Sequence, residues 1–113
     1  MRVGMCLAVL FGFLAACSGT PGVKLGKTSF KQGDQIDVTY TSAVKSKDDA
    51  KYWVTVAPKG SPDSTWGDWH YVSAGASSDT LKAGQPGEYE VRLHDDYPKQ
   101  PFHVVARQPI KVE

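Results

Sequence analysis

Apolar residues along much of this chain recur at every second position. In residues 86–93 the side chains of Tyr89, Val91 and Leu93 alternate with Glu88, Glu90 and Arg92, directly after the turn pair Pro86-Gly87. A period of two sends successive side chains to opposite faces of an extended chain, so this stretch predicts a strand with one buried and one wet face. Residues 35–41 repeat the pattern with Ile36, Val38 and Tyr40 on one side. Residues 52–57 (Tyr-Trp-Val-Thr-Val-Ala) are β-formers throughout, which predicts a strand covered on much of both faces, ended by Pro58. Shorter runs predict a broken first strand over 23–25 and 28–30, a strand over 69–73 and a short edge strand over 79–82. A last strand is predicted over 102–106 and 109–112, with a bulge near Pro109 because proline cannot donate to a ladder. No stretch carries a helical period.

About seven short strands with turn chemistry between them predict an all-β fold, an immunoglobulin-like β-sandwich, with a Greek-key barrel as the alternative. The expected core is Ile36, Val38, Tyr40, Val54, Val56, Leu81, Tyr89, Val91, Leu93, Val104 and Ala106, with Trp53 packed between the sheets. Tyr89, just after its turn, resembles the corner tyrosine of Greek-key sandwiches, whose hydroxyl bonds back to the chain. Residues 42–51, polar and charged, are expected to be a solvated loop. Residues 59–68 have no periodicity, and a loop of that length in a small domain is expected to be functional or mobile.

The N-terminus departs from the alternation. Arg2 precedes an apolar and small-residue run over 3–16, shorter than the roughly 20 residues that span a bilayer. It ends in Leu14-Ala15-Ala16-Cys17, which resembles a bacterial lipobox. The resemblance implies cleavage after residue 16 and a diacylglycerol thioether on Cys17, an acyl chain on its amine, and a membrane anchor; several acyl chains hold stably where one binds reversibly. Ser18 rather than Asp after the cysteine resembles the enterobacterial sorting pattern that implies the outer membrane, facing the periplasm. The expected organisation is a signal peptide over 1–16, a lipidated tether over 17–22 and one domain over 23–113. Such a tether holds the domain within about 20 Å of the membrane.

Loss of residues 1–16 removes Cys6 and Arg2, and lipidation takes Cys17. No thiol is then left for a disulfide, metal or nucleophile, and the 13 basic residues fall to 12 against 12 acidic ones. A net charge of zero argues against nucleic acid, which needs a basic field.

Residues 52–63 (YWVTVAPKGSPD), 87–93 (GEYEVRL) and 104–112 (VVARQPIKV) together resemble the small β-sandwich modules appended to bacterial von Willebrand factor A-type envelope proteins. The resemblance implies the sandwich fold and an accessory binding or structural role. This chain departs from the family in running on as Leu93-His94-Asp95-Asp96 where an aromatic is usual, and it has no A-type domain with metal-binding serines and aspartates.

Two groups of residues are candidates for contact with a partner. A hairpin centred near residues 99–100 would set Arg92 opposite Arg107, Glu90 opposite Pro109 and His94 opposite Val105. Facing arginines need an anion between them. One reading supplies it internally from Glu90, Asp37 or Asp63; the other makes the pair a socket for a partner's carboxylate or phosphate. Trp66, Trp69 and Tyr71, with Lys59, Asp63 and Asp68 of the long loop, are candidates to grip a protein or stack on a sugar. Of the aromatics, Trp66 is expected to be exposed. His70, His94 and His103 lack metal-ligand spacing, and no nucleophile elbow gathers Ser, His and Asp, so neither metal, cofactor nor catalysis is expected. The sequence therefore points to a lipid-anchored envelope module that binds a protein, with an immunity or inhibitor lipoprotein as a specific form. The alternatives are a structural accessory subunit and a glycan- or peptidoglycan-binding module.

Overall fold

The computed structural model describes residues 20–113. The signal peptide expected over residues 1–16, with Cys17 and Ser18, lies outside the described residues. Within them there is no helix, and eight strands form two sheets. These are β1 (Val23–Leu25), β2 (Ser29–Phe30), β3 (Gln35–Tyr40), β4 (Lys51–Pro58), β5 (Trp69–Val72), β6 (Ser78–Lys82), β7 (Gly87–Tyr97) and β8 (Val104–Val112). The smaller sheet has the order β1-β3-β6 and the larger β2-β8-β7-β4-β5.

The broken first strand explains why there are eight strands rather than seven. β1 pairs antiparallel with β3, while β2, three residues on, crosses to the other sheet and pairs parallel with β8. All other pairings are antiparallel. Two face-to-face sheets sharing their first strand in this way make an immunoglobulin-like β-sandwich.

Between the sheets the side chains are aliphatic. Ile36, Val38 and Tyr40 of β3 and Leu81 of β6 meet Val54, Val56, Val91, Leu93, Ile110 and Val112 from the larger sheet. Register explains this selection: Val54 lies opposite Leu93 and Val56 opposite Val91, so one phase of β4 and β7 faces inward. Tyr40 reaches the sandwich rim, where its hydroxyl donates to Asp79 Oδ2 at 2.8 Å. Burial and that carboxylate push its ionisation well above the usual tyrosine value.

Five expectations need correction. Trp53 is buried but lies on the outer face of the larger sheet, because Val54 and Val56 hold the inward phase. The β7–β8 bulge falls where Leu93 pairs with Ala106 and His94 with Val104, not at Pro109, which sits in register opposite Glu90. That extra residue turns Val105 toward the core in place of Val104. Val44 in the solvated loop is a core residue, fixed by its carbonyl, which accepts from Gly75 N at 2.8 Å. The packed domain starts before residue 23: Pro21 is buried and Gly22 exchanges bonds with Thr41 (2.7 and 3.0 Å). Tyr89 packs half-buried beside Gly87, and among the described residues its hydroxyl makes no bond back to the chain.

Candidate functional site: the outer face of the larger sheet

An outer sheet face normally meets water, and its residues here are the polar phase of the alternation. Trp53 and Thr55 of β4 lie beside His94 and Arg92 of β7, with Arg107 of β8 opposite Arg92. This face is nevertheless buried. Arg92 and His94 are each 0% exposed, because residues 59–68 and the hairpin between β7 and β8 cover them.

The loop is held by one arginine. Arg92 donates from Nε to Glu90 Oε1 (2.7 Å), from Nη1 to the carbonyls of Pro62 (2.8 Å) and Thr65 (3.4 Å), and from Nη2 to the Ser61 carbonyl (2.8 Å) and hydroxyl (3.2 Å). A guanidinium has five N–H groups, and all five have acceptors here. Arg107 shares Glu90 Oε1 at 3.0 Å and reaches Asp63 Oδ1 at 2.9 Å. Two cations and two carboxylates thus neutralise one another, as a buried charge requires. Burial works to raise the Glu90 carboxyl, but the bonds and charges of Arg92 and Arg107 outweigh it and hold it below its ordinary value. Asp63 is likewise lowered, chiefly by its bond to Arg107.

The socket reading of Arg92 is thereby corrected: a fully buried guanidinium with every donor occupied offers nothing to a partner. Arg107 keeps an exposed edge, its side chain 41% accessible. The neutralising carboxylates are Glu90 and Asp63, while Asp37 is on the other sheet, accepting from Gln35 Nε2 at 2.7 Å.

The far end of the loop is fastened by Thr55, whose hydroxyl donates to the Asp68 carbonyl at 2.8 Å and accepts from Gly67 N at 3.1 Å. Asp68 Oδ2 accepts from Lys82 N at 2.8 Å, tying the loop to β6 of the opposite sheet. Asp68 is therefore a structural link through one carboxylate oxygen, while the residue itself stays exposed. Gly67 passes so near β4 that a Cβ there would lie 2.6 Å from the Val56 carbonyl oxygen. Lys59 pairs with Glu88 at 3.8 Å in solvent, a weak contact.

Beside the fastened loop lies an aromatic surface. Trp66 is 55% and Tyr71 47% exposed, and Trp69, Tyr97 and Phe102 are exposed with them. They line a groove of about 200 Å³ whose floor is Trp53 and whose far wall includes Pro101. The rings stand at angles: Trp53–Trp69 83°, Trp69–Tyr71 84°, Trp53–Phe102 73° and Tyr71–Tyr97 54°. Trp53 is anchored by its Nε1–H, donated to the Pro101 carbonyl at 2.9 Å, and by His94, stacked beneath it at 4.0 Å and 7°. Neither ring nitrogen of His94 has a hydrogen bond of good geometry among the described residues. Burial pushes its pKa down to about 4; the nearby Phe102 backbone acts in the opposite sense, and Arg92 adds to the lowering. His103 is the reverse case, raised by its 2.6 Å contact with Asp95.

The structure thus brings Trp66, Trp69 and Tyr71 together and exposes them, Trp66 most. Tyr97 and Phe102 completed the surface unannounced. Their only sequence signal is two further aromatics flanking the proline turn; the strand expected from Phe102 begins instead at Val104, which leaves Phe102 in the turn.

No protein-family model matches this chain, and no curated protein matches it. Among solved structures, one similar chain is the CARDB domain of a Pyrococcus furiosus protein, solved in complex with di-metal ions. The likeness covers 82% of this chain and 90% of that one at 17% identity, with a TM-score of 0.42.

Proposed function

We propose that this chain is a lipid-anchored, non-enzymatic binding module of the bacterial envelope that holds a protein partner on its aromatic groove. The carrying observation is that five aromatic side chains stand exposed together beside a loop fixed by a fully buried arginine. Clustered exposed apolar rings cost solubility, and rigid aromatics are the side chains that dominate protein interfaces. The lipobox-like Leu14-Ala15-Ala16-Cys17 supports the anchor, and Ser18 the outer membrane with the domain facing the periplasm. The resemblance to von Willebrand factor A-associated modules supports an accessory role. In a specific form of this reading the module is an immunity or inhibitor lipoprotein that covers a periplasm-acting enzyme.

Cross-linking in intact cells followed by pull-down tests the reading. One stoichiometric protein is expected with the wild type and its loss with Trp66→Ala; capture unchanged in that variant contradicts the groove. Cys17→Ser is expected to release the protein from membranes, and retention there refutes the anchor. A second reading, an accessory subunit joined through a sheet edge, is favoured by β5: it is an edge strand, with Trp69, His70 and Tyr71 exposed. That reading expects capture to survive Trp66→Ala.

A further inference from the structure

Resting on the protein-binding reading of the groove, we infer that its occupant is a proline-rich segment in the polyproline II conformation. The groove's lining limits what fits. It contains no carboxylate, ammonium or side-chain amide; the polar groups it presents are the indole N–H of Trp66 and Trp69 and the hydroxyls of Tyr71 and Tyr97. Neither exposed indole has a partner among the described residues, and the Pro101 carbonyl is already taken by Trp53 Nε1. The groove therefore offers apolar ring surface, two indole donors, and tyrosine hydroxyls that can donate or accept. A run of prolines offers apolar ring surface and acceptors: it has no backbone N–H to satisfy, and its carbonyls point outward without internal partners. Docking would pair the two indole donors with those carbonyls.

Other ligand classes match less well. A sugar ring stacks on a flat aromatic platform. Here neighbouring rings meet at 83° and 84° and form ridges and slots. A site that engulfs a small molecule measures about 300–1,000 Å³, whereas this groove holds about 200 Å³, room for one or two side chains of a longer ligand at a time. Aromatic-lined grooves of this shallow kind are the general means of reading polyproline II, whose ordering cost is low because the helix is already formed. Trp53 and its stacked His94 make the floor rigid, and the Arg92-held loop fixes the backbone of Trp66.

The test uses the full lipidated protein in neutral phospholipid nanodiscs, with tryptophan fluorescence as the readout and a decaproline peptide as the probe. A glycine-serine peptide of equal length and chitotetraose serve as comparison probes. Saturable binding of decaproline alone is expected, weakened about ten-fold or more by Trp66→Ala or Trp69→Ala and unchanged by Lys24→Ala on the opposite sheet. Melting temperature checks that each variant is folded. Failure of decaproline to bind overturns the inference, whether chitotetraose binds in its place or a quencher in the acyl region darkens Trp66 and makes lipid the occupant; so does decaproline binding equally to wild type and Trp66→Ala. If decaproline fails while Trp66→Ala still abolishes capture in cells, the ligand assignment falls and the protein-binding reading stands. If Trp66→Ala leaves capture intact, the protein-binding reading falls as well.

Discussion

The two faces of the larger sheet are made from the same strands yet held by different physics. Inward, Val54, Val56, Val91 and Leu93 meet Ile36, Val38 and Leu81 in an aliphatic layer stabilised by removal of apolar area from water. Outward, Trp53, Thr55, Arg92, His94 and Arg107 lie under a loop and a hairpin, held by directed hydrogen bonds and ring contacts. The inner face serves stability and tolerates similar shapes. The outer face organises a surface, and each of its polar groups has a specific geometry to keep. Burial alone does not distinguish core from site here, since Arg92 is as inaccessible as Val54.

Leu93→Ala attacks the inner face and is expected to lower global stability by about 3–4 kcal/mol in urea unfolding. Arg92→Met attacks the outer face and is expected to cost about 3 kcal/mol, because Glu90 is left buried with one partner fewer. The two variants differ in kind. Hydrogen exchange should show Arg92→Met speeding exchange across residues 59–68 beyond the global change, and Leu93→Ala raising exchange everywhere together. Equal local effects would erase the distinction between the faces.

Acid also separates them, since the buried groups that titrate in acid, His94 and Glu90, lie on the outer face. His94 has a folded pKa of about 4 against 6.5 in the unfolded chain, so between these values the unfolded state binds the extra proton. The contribution of His94 is therefore full above pH 6.5 and is lost as pH drops toward 4, on the order of 3 kcal/mol in all. His103, raised by Asp95, contributes in the opposite sense: its stabilisation is full below the ordinary histidine value and fades as pH rises through its folded value. It is exposed, so its effect is small. Glu90 and Asp63 are lowered, and their contribution is lost only in stronger acid. His94→Phe, which keeps a ring beneath Trp53, is expected to flatten the profile between pH 6.5 and 4; an unchanged slope contradicts the assignment.

Gly67→Ala is a smaller perturbation. Its new methyl must clear the Val56 carbonyl, and the strain is expected to cost about 1–3 kcal/mol, read as a lower urea midpoint with unchanged slope. A neutral result would mean the loop end has slack that the Thr55 bonds argue against.

The strands and the inward phase of β3 and β7 were legible because Ile36, Val38, Val91 and Leu93 alternate with polar neighbours. The phase of β4 was not. Residues 52–57 are β-formers on both sides, so nothing local decides whether Trp53 or Val54 faces the other sheet. The register of Arg92 and Arg107 followed from the hairpin, but their burial did not: the acceptors are carbonyls of Ser61, Pro62 and Thr65, some 30 residues earlier, and carbonyls leave no mark in a sequence. The extra residue at Val105 inverted the phase of the last strand's start, and a bulge without glycine or proline is silent in composition. Of the aromatic surface, the part attached to the unusual loop could be read, while Tyr97 and Phe102 looked like ordinary residues flanking a proline turn.

The division of labour between the faces is tested most directly by one variant with two readouts. Trp66→Ala is measured for urea unfolding and, in intact cells, for cross-linked capture of the protein proposed to occupy the groove. The expected result is a stability change within about 0.5 kcal/mol, as for an exposed side chain, together with loss of the captured protein. A large loss of stability with capture intact would contradict the account and make the aromatic face part of the packing rather than a surface for binding.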